Sequence, residues 1–311
     1  MSDTLSKTLK ENSFDAVFTE VAHTESLGLK NGEALRLFCL DVRDNKFSPI
    51  NLQKFLMRNI GRYVFSRAQL EQFRVADDLD AVSAEALRIL RKNGDADVKG
   101  TGAELGEMLI YAFLEEKLGA PKLMSRIELT TDAMQYGSNC DCIHLLAVDP
   151  SGAVPYYQLV FGASNVVGDM KDAIDRAFES IVRIESGSSN ESQMVEKTVM
   201  SRMFSESDIA KIEDVIVPQR GRTTAYDTAY GVFFGYTLGL DSAAYTTSEF
   251  RNALALKMER DIKEHSAYIT QKIHDNNLGT HAFYFYILPF NEAETEKKEI
   301  MTRILKGDVA L

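Results

Sequence analysis

Two acidic side chains stand where a carboxylate is costly. In the stretch GTGAELGEMLIYAFLEEKLGA, Glu107 is the only charged residue between Leu105 and Leu114. Leu105, Met108, Leu109, Ala112 and Phe113 form one apolar stripe at helical spacing. Ile110, Tyr111 and Leu114 make the opposite stripe apolar too, and Glu107 lies on it. A helix that is apolar all round is buried all round. A carboxylate inside it must pair with an arginine or lysine, or bind a metal. The second acid, Asp141, follows the turn-forming Gly137-Ser138-Asn139 and opens a strand-like run, DCIHLLAV.

A hairpin relates Asp141 to a third place. In Asp149-Pro150-Ser151-Gly152, proline presets one φ and glycine accepts a positive one. That turn joins strands at about 141–148 and 155–162 into an antiparallel pair. Counting back from the turn puts the cross-strand neighbour of Asp141 near Phe161 to Ala163. A carboxylate there, with Asp141 and Glu107, would form a Mg²⁺ (or Mn²⁺) site for phosphodiester cleavage. Metal ions would hold the attacking water and the leaving oxygen, and a lysine would balance the phosphate charge.

The elements that must position these residues follow from periodicity and punctuation. Strand-like pieces at about 16–21 and 34–42 precede helical patterns at 51–62, 66–75 and 79–93. The middle of the chain reads as helix 103–118, strand 123–130, the hairpin, and helix 168–185. SGSSNES at 186–192 is the most linker-like stretch. Helices at 191–204, 206–214, 246–276 and 292–306 and strands at 229–238 and 281–288 complete the chain. The expected class is α/β (α+β), a mixed sheet flanked by helices. Three regions are expected: an N-terminal α/β region (1–95), a core (96–187) and a C-terminal α/β region packed on it (188–311).

Helix with Glu, strand opening with Asp, hairpin and helix together resemble the PD-(D/E)xK nuclease core, a restriction-endonuclease-like fold. More narrowly, GAELGEMLIYAFLEEKLGAPKLMSRIEL, GSNCDCIHLL, YQLVFGASNVVGDMKDAIDRAF and FYFYILPFNEAE resemble the effector subunit of Hachiman anti-phage defence, the HamA/AbpA-type family. The resemblance covers roughly 95–310 and rests on order and spacing rather than on one invariant signature. It implies a cytoplasmic subunit that partners a superfamily-two helicase (HamB/AbpB-type) and degrades DNA with magnesium. In that pattern Glu107 matches the helix glutamate and Asp141 the strand aspartate.

The third element departs from the pattern. Where Glu-x-Lys would fall, the chain has Ala163-Ser164-Asn165. Alanine cannot ligate a metal and asparagine carries no charge. Three readings follow. The site is inactivated while fold and complex survive; or Lys171 and Asp169 take over the missing roles; or GASNVVGDM is a phosphate-binding loop, with backbone amides free around Gly162, Ser164 and Gly168. Ser164 and Lys171 are thus candidate nucleic-acid contacts. So are Arg220 and Arg222 in the small basic loop Pro218-Gln219-Arg220-Gly221-Arg222, although two loop arginines are more often plain surface.

Composition narrows the classes further. With 35 basic against 46 acidic residues the net charge is −11. That opposes autonomous, non-specific nucleic-acid binding, which phosphate neutralisation drives. It is consistent with a partner that supplies DNA affinity. Three cysteines make no disulfide framework; Cys140, Cys142 and His144 would be too few for zinc and read as buried strand residues. His265 and His274 lie too far apart for a zinc-protease helix. No P-loop, GxGxxG or GxSxG occurs, so ATP-driven work belongs to another chain. No apolar run reaches the ~20 residues of a membrane span, and the N-terminus lacks a secretory apolar core. The expectation is a metal-dependent DNA nuclease subunit. A non-cleaving scaffold that controls the helicase is the alternative, and an RNase on the same fold a third class.

Overall fold

The computed structural model describes residues 5–10, 14–92, 102–131, 139–149, 156–200, 204, 208–209 and 226–310. Its centre is one seven-stranded mixed sheet. In chain order the strands are β1 (Thr19–Val21), β2 (Glu33–Cys39), β5 (Lys122–Ser125), β6 (Cys142–Asp149), β7 (Tyr156–Val166), β8 (Tyr226–Thr237) and β9 (Ala282–Phe290). A two-stranded ribbon, β3 (Val42–Arg43) with β4 (Lys46–Phe47), stands apart. The large sheet runs β1-β2-β9-β8-β7-β6-β5. β2, β9, β8 and β7 are mutually parallel, and β1, β6 and β5 add antiparallel edges. One sheet therefore takes strands from all three expected regions.

The expected mixed sheet flanked by helices is present. The helices are α1 (Ile50–Val64), α2 (Arg67–Val75), α3 (Ala81–Lys92), α4 (Glu104–Phe113), α5 (Arg126–Thr131), α6 (Met170–Met200), α7 (Thr247–Asp275) and α8 (Ala293–Lys306). Two begin with reciprocal caps, Ser66 with Gln69 in α2 and Thr246 with Glu249 in α7. Gly307, at φ 74°, closes α8 in the left-handed conformation. Among the described residues no helix is long and apolar enough to cross a membrane.

Aromatic contacts assign the two faces of the sheet. Phe113 of α4 stacks on Phe233 of β8 and Tyr286 of β9, with ring centroids 5.7 and 5.1 Å apart. On the other face Phe178 of α6 meets Phe283 and Phe285 of β9, and Phe285 stacks on Phe234. Side chains alternate along each strand, so the whole register follows. Ser164 pairs with Phe233 and faces α4; Ala163 and Asn165 pair with Val232 and Phe234 and face α6.

Several boundaries differ from the sequence reading. The strand expected over 123–130 ends at Ser125, and α5 takes over at Arg126. The helix expected to end at 118 becomes a π-helical turn at Leu114–Leu118. There the buried Glu115 accepts the amides of Thr8, Leu9 and Lys122 at 2.8, 2.7 and 2.8 Å. The SGSSNES stretch is helical, inside a single α6 that continues to Met200. Helix propensity is a weak prior that context overrides. The hairpin turn at 150–155, the helix expected at 206–214 for all but two residues, and the loop with Arg220 and Arg222 lie outside the described residues.

Candidate functional site

Five elements meet around Glu107 and Asp141. Glu107 sits in the first turn of α4, a helix buried over its whole length. Asp141 precedes β6; its amide donates to Gly162 O and its carbonyl accepts from Arg126 N, both at 2.9 Å. β7 carries Ser164 alongside, and α1 supplies Tyr63 from the other side. α5 is locked by a buried ion pair, Lys122 Nζ to Glu128 Oε1 at 2.7 Å, while Glu128 also accepts the Ser125 amide at 2.8 Å. That lock aims the first residue of α5, Arg126, at both acids.

Arg126 is the organising cation. Its Nη1 lies 3.4 Å from Glu107 Oε1 and 3.0 Å from Asp141 Oδ1. The two carboxylates are thus separated by no more than the sum of those contacts. Each acid side chain is 10% exposed, whereas the arginine is 44% exposed at the mouth. The remaining oxygens are also engaged. The Tyr63 hydroxyl donates to Glu107 Oε2 at 2.7 Å. Ser164 donates its amide and its hydroxyl to Asp141 Oδ2, at 2.7 and 2.6 Å.

The electrostatics follow from this crowding. Burial first, then the charge of Asp141, push the Glu107 carboxyl up to about 7, against the pull of Arg126 and Tyr63. Burial also raises Asp141, opposed by the Ser164 hydrogen bonds and by Arg126. Close to neutrality Glu107 therefore changes its charge beside Asp141 and Arg126.

This donor set does not fit a divalent metal as folded. All four carboxylate oxygens contact the protein's own donors, and the guanidinium bridges the two acids. Ala163 brings no side-chain oxygen, and its side chain faces α6 rather than the pocket. Among the described residues no group of three or more His, Cys, Asp or Glu side chains is placed to hold a metal ion.

The other sequence candidates fall elsewhere. Asn165, like Ala163, belongs to the α6 face. Lys171 is not at the acids: its ammonium lies over the Tyr268 ring, 5.2 Å from the centroid, where α6 meets α7. Asp169 is used in capping α6, accepting from Asp172 N at 3.0 Å. Of the amides expected to be free for phosphate, Ser164 N is spent on Asp141, and next to Gly168 the Val167 amide is spent on Gly235 O. The reason is that β7 continues as a strand to Val166. His144 is buried against Ala120 O at 2.7 Å, and Cys142 packs against Gly162. The sequence reading missed Arg126 and Tyr63 as site residues. The only signal for Arg126 was its place fifteen residues before Asp141, and none marked Tyr63.

A family model described as HamA matches residues 15–304, nearly the whole chain. The chain belongs to the HamA family. This is the family its residue pattern resembles, that of the Hachiman defence effectors, and the match extends the likeness into the N-terminal strands and α1–α3. No curated protein matches the chain. HamA membership accounts for an effector of antiviral defence.

Proposed function

We propose that this chain serves a Hachiman complex as a non-cleaving effector subunit, engaging nucleic acid beside a helicase partner, with its acid pocket held by Arg126. The observation that carries this reading is the single guanidinium nitrogen shared by Glu107 and Asp141. A protein cation there does what a metal would do for charge balance, without offering a site to activate water. The sequence agrees: neither the third carboxylate nor the lysine is present at 163–165. A net charge of −11 supports leaving DNA affinity mainly to the helicase.

A second reading, a magnesium-dependent deoxyribonuclease, is favoured by one observation. Two acids from distant elements are buried together, and the arginine between them is 44% exposed at the mouth of the pocket. In that reading Glu107 and Asp141 would be the metal ligands.

One experiment separates the two. The chain with its helicase partner is incubated with plasmid, ATP and Mg²⁺ or Mn²⁺, in parallel with Asp141→Ala. Equal outcomes support the non-cleaving subunit. Cleavage by the parent that is lost in the variant overturns it in favour of the nuclease; RNA in place of plasmid tests the ribonuclease variant.

A further inference from the structure

Ser164 borders a second space besides the acid pocket. At the carboxyl end of β7 lies a cavity of about 410 Å³, lined in part by Ala103, Ser164, Asn165, Arg176, Lys297 and Lys298. Its wall carries those three cations and one carboxylate, Glu294. In a chain of net charge −11 that is a local reversal of sign.

The cations differ in role. Lys297 is fixed: its ammonium donates to Val166 O at 2.7 Å and pairs with Glu294 at 2.7 Å, strapping α8 to the end of β7. Arg176 on α6 and Lys298 on α8 are exposed. Among the described residues neither has a side-chain hydrogen bond or ion pair. They approach from opposite faces of the sheet, because α6 and α8 flank its end.

Backbone groups add to the positive field. α4 opens at Ala103 in the cavity wall with no side-chain cap bond, so its positive end lies by the cavity, whereas the first amides of α8 are taken by Glu296 and by Thr237 Oγ1. The turn before α4 is drawn tight by Gly102, at φ +65°, where a Cβ would sit 2.7 Å from Lys297 O. No aromatic ring is in the lining, so the site offers nothing on which a base could stack.

We propose that this cavity binds the sugar–phosphate backbone of a nucleic-acid strand through Arg176, Lys297 and Lys298. The assignment rests on the reading that the subunit engages nucleic acid, and it names where. Recognition there is of phosphate, without base sequence, beside the Ser164–Asp141 pair.

The test is direct binding by the full chain, read as fluorescence anisotropy of a labelled single strand of about 20 nucleotides at about 50 mM salt, without divalent metal. Arg176→Ala with Lys298→Ala is expected to weaken binding roughly tenfold or more and to make the salt dependence shallower. Lys30→Ala with Lys263→Ala, an equal charge change at exposed sites outside the cavity lining, is expected to stay within about twofold. Inorganic phosphate and ATP are added as competitors. Failure of the parent to bind, equal loss in both double variants, or ATP competing better than an unlabelled strand overturns the proposal, the last in favour of a nucleotide. Plasmid cleavage plays no part in the readout. A chain that never cuts DNA can pass it, and one that cuts DNA by another route can fail it.

Discussion

Ser164 gives both its amide and its hydroxyl to one oxygen of Asp141. The reason lies in the edge of the sheet. β6 begins at Cys142, so beyond the Cys142–Gly162 pair β7 has no strand partner for the Ser164 N–H. The Asp141 carboxylate stands in for that strand, satisfying a backbone donor that burial would otherwise leave costly. Asp141 is thus a structural cap on the β7 ladder as well as one half of the acid pair, and substitutions around it report on both roles.

Gly106 tests how tightly this pair is held. A Cβ added there would lie 2.7 Å from Ser164 Oγ. Gly106→Ala should therefore cost about 1–3 kcal/mol in denaturant unfolding, despite alanine's better helix propensity. Combining it with Ser164→Gly, which removes the obstructing hydroxyl, should recover part of that loss. Strict additivity of the two losses would show that the contact does not govern the site.

The Glu107 carboxyl gives the protein an inverted pH dependence over a defined window. Its value rises from the ordinary 4.5 to about 7 on folding, chiefly through burial. Between those values the folded chain holds a proton that the unfolded chain has released. The stabilisation is complete below about pH 4.5 and is lost as pH rises through about 7. Glu107→Gln, uncharged at every pH, should flatten that decline and gain on the order of 1–3 kcal/mol relative to the parent at pH 8 compared with pH 5. Urea unfolding across that range is the measurement, and parallel curves for the two proteins would refute the assignment.

How much of this was legible beforehand differs residue by residue. Glu107 stood out because a lone carboxylate in an apolar helix must find a partner, and Asp141 because the hairpin count fixed its neighbours. Arg126 was hidden: RIEL reads as the end of a strand, and it becomes helix because the buried Lys122–Glu128 pair closes its first turn. The face of Ala163 and Asn165 was hidden too. Alternation along β7 gives two sets of residues, but which set meets α4 is decided by β8 and β9, more than sixty residues later. Tyr63, 44 residues before Glu107, reaches the site only through the packing of α1 on α4.

Tyr63 should matter most when Glu107 is ionised. The phenol is fully buried and donates at 2.7 Å to the carboxylate. Tyr63→Phe keeps the ring and removes the donor, for a loss of about 1–3 kcal/mol at pH 8, where the acceptor is charged. Near pH 5 Glu107 is protonated and the loss should shrink. Equal losses at both pH values would mean that the hydroxyl serves packing alone.

Arg126 decides between the two readings of the pocket. If its guanidinium occupies the place of a cation, removing it leaves two acids facing each other with only a proton to share. Arg126→Gln should lower stability at pH 8 by about 1–3 kcal/mol, less than for a fully buried pair because the arginine is half-exposed. It should also open the pocket to divalent ions. Millimolar Mn²⁺ should then raise the melting temperature of the variant while leaving the parent unmoved, since only a ligand that prefers the folded state stabilises it. A parent that responds as strongly as the variant would show that the guanidinium yields readily to metal, and would shift the weight to the nuclease reading. If neither responds, the two acids bind no such ion even without their arginine, and their role is to hold α4, α5 and the end of β7 together.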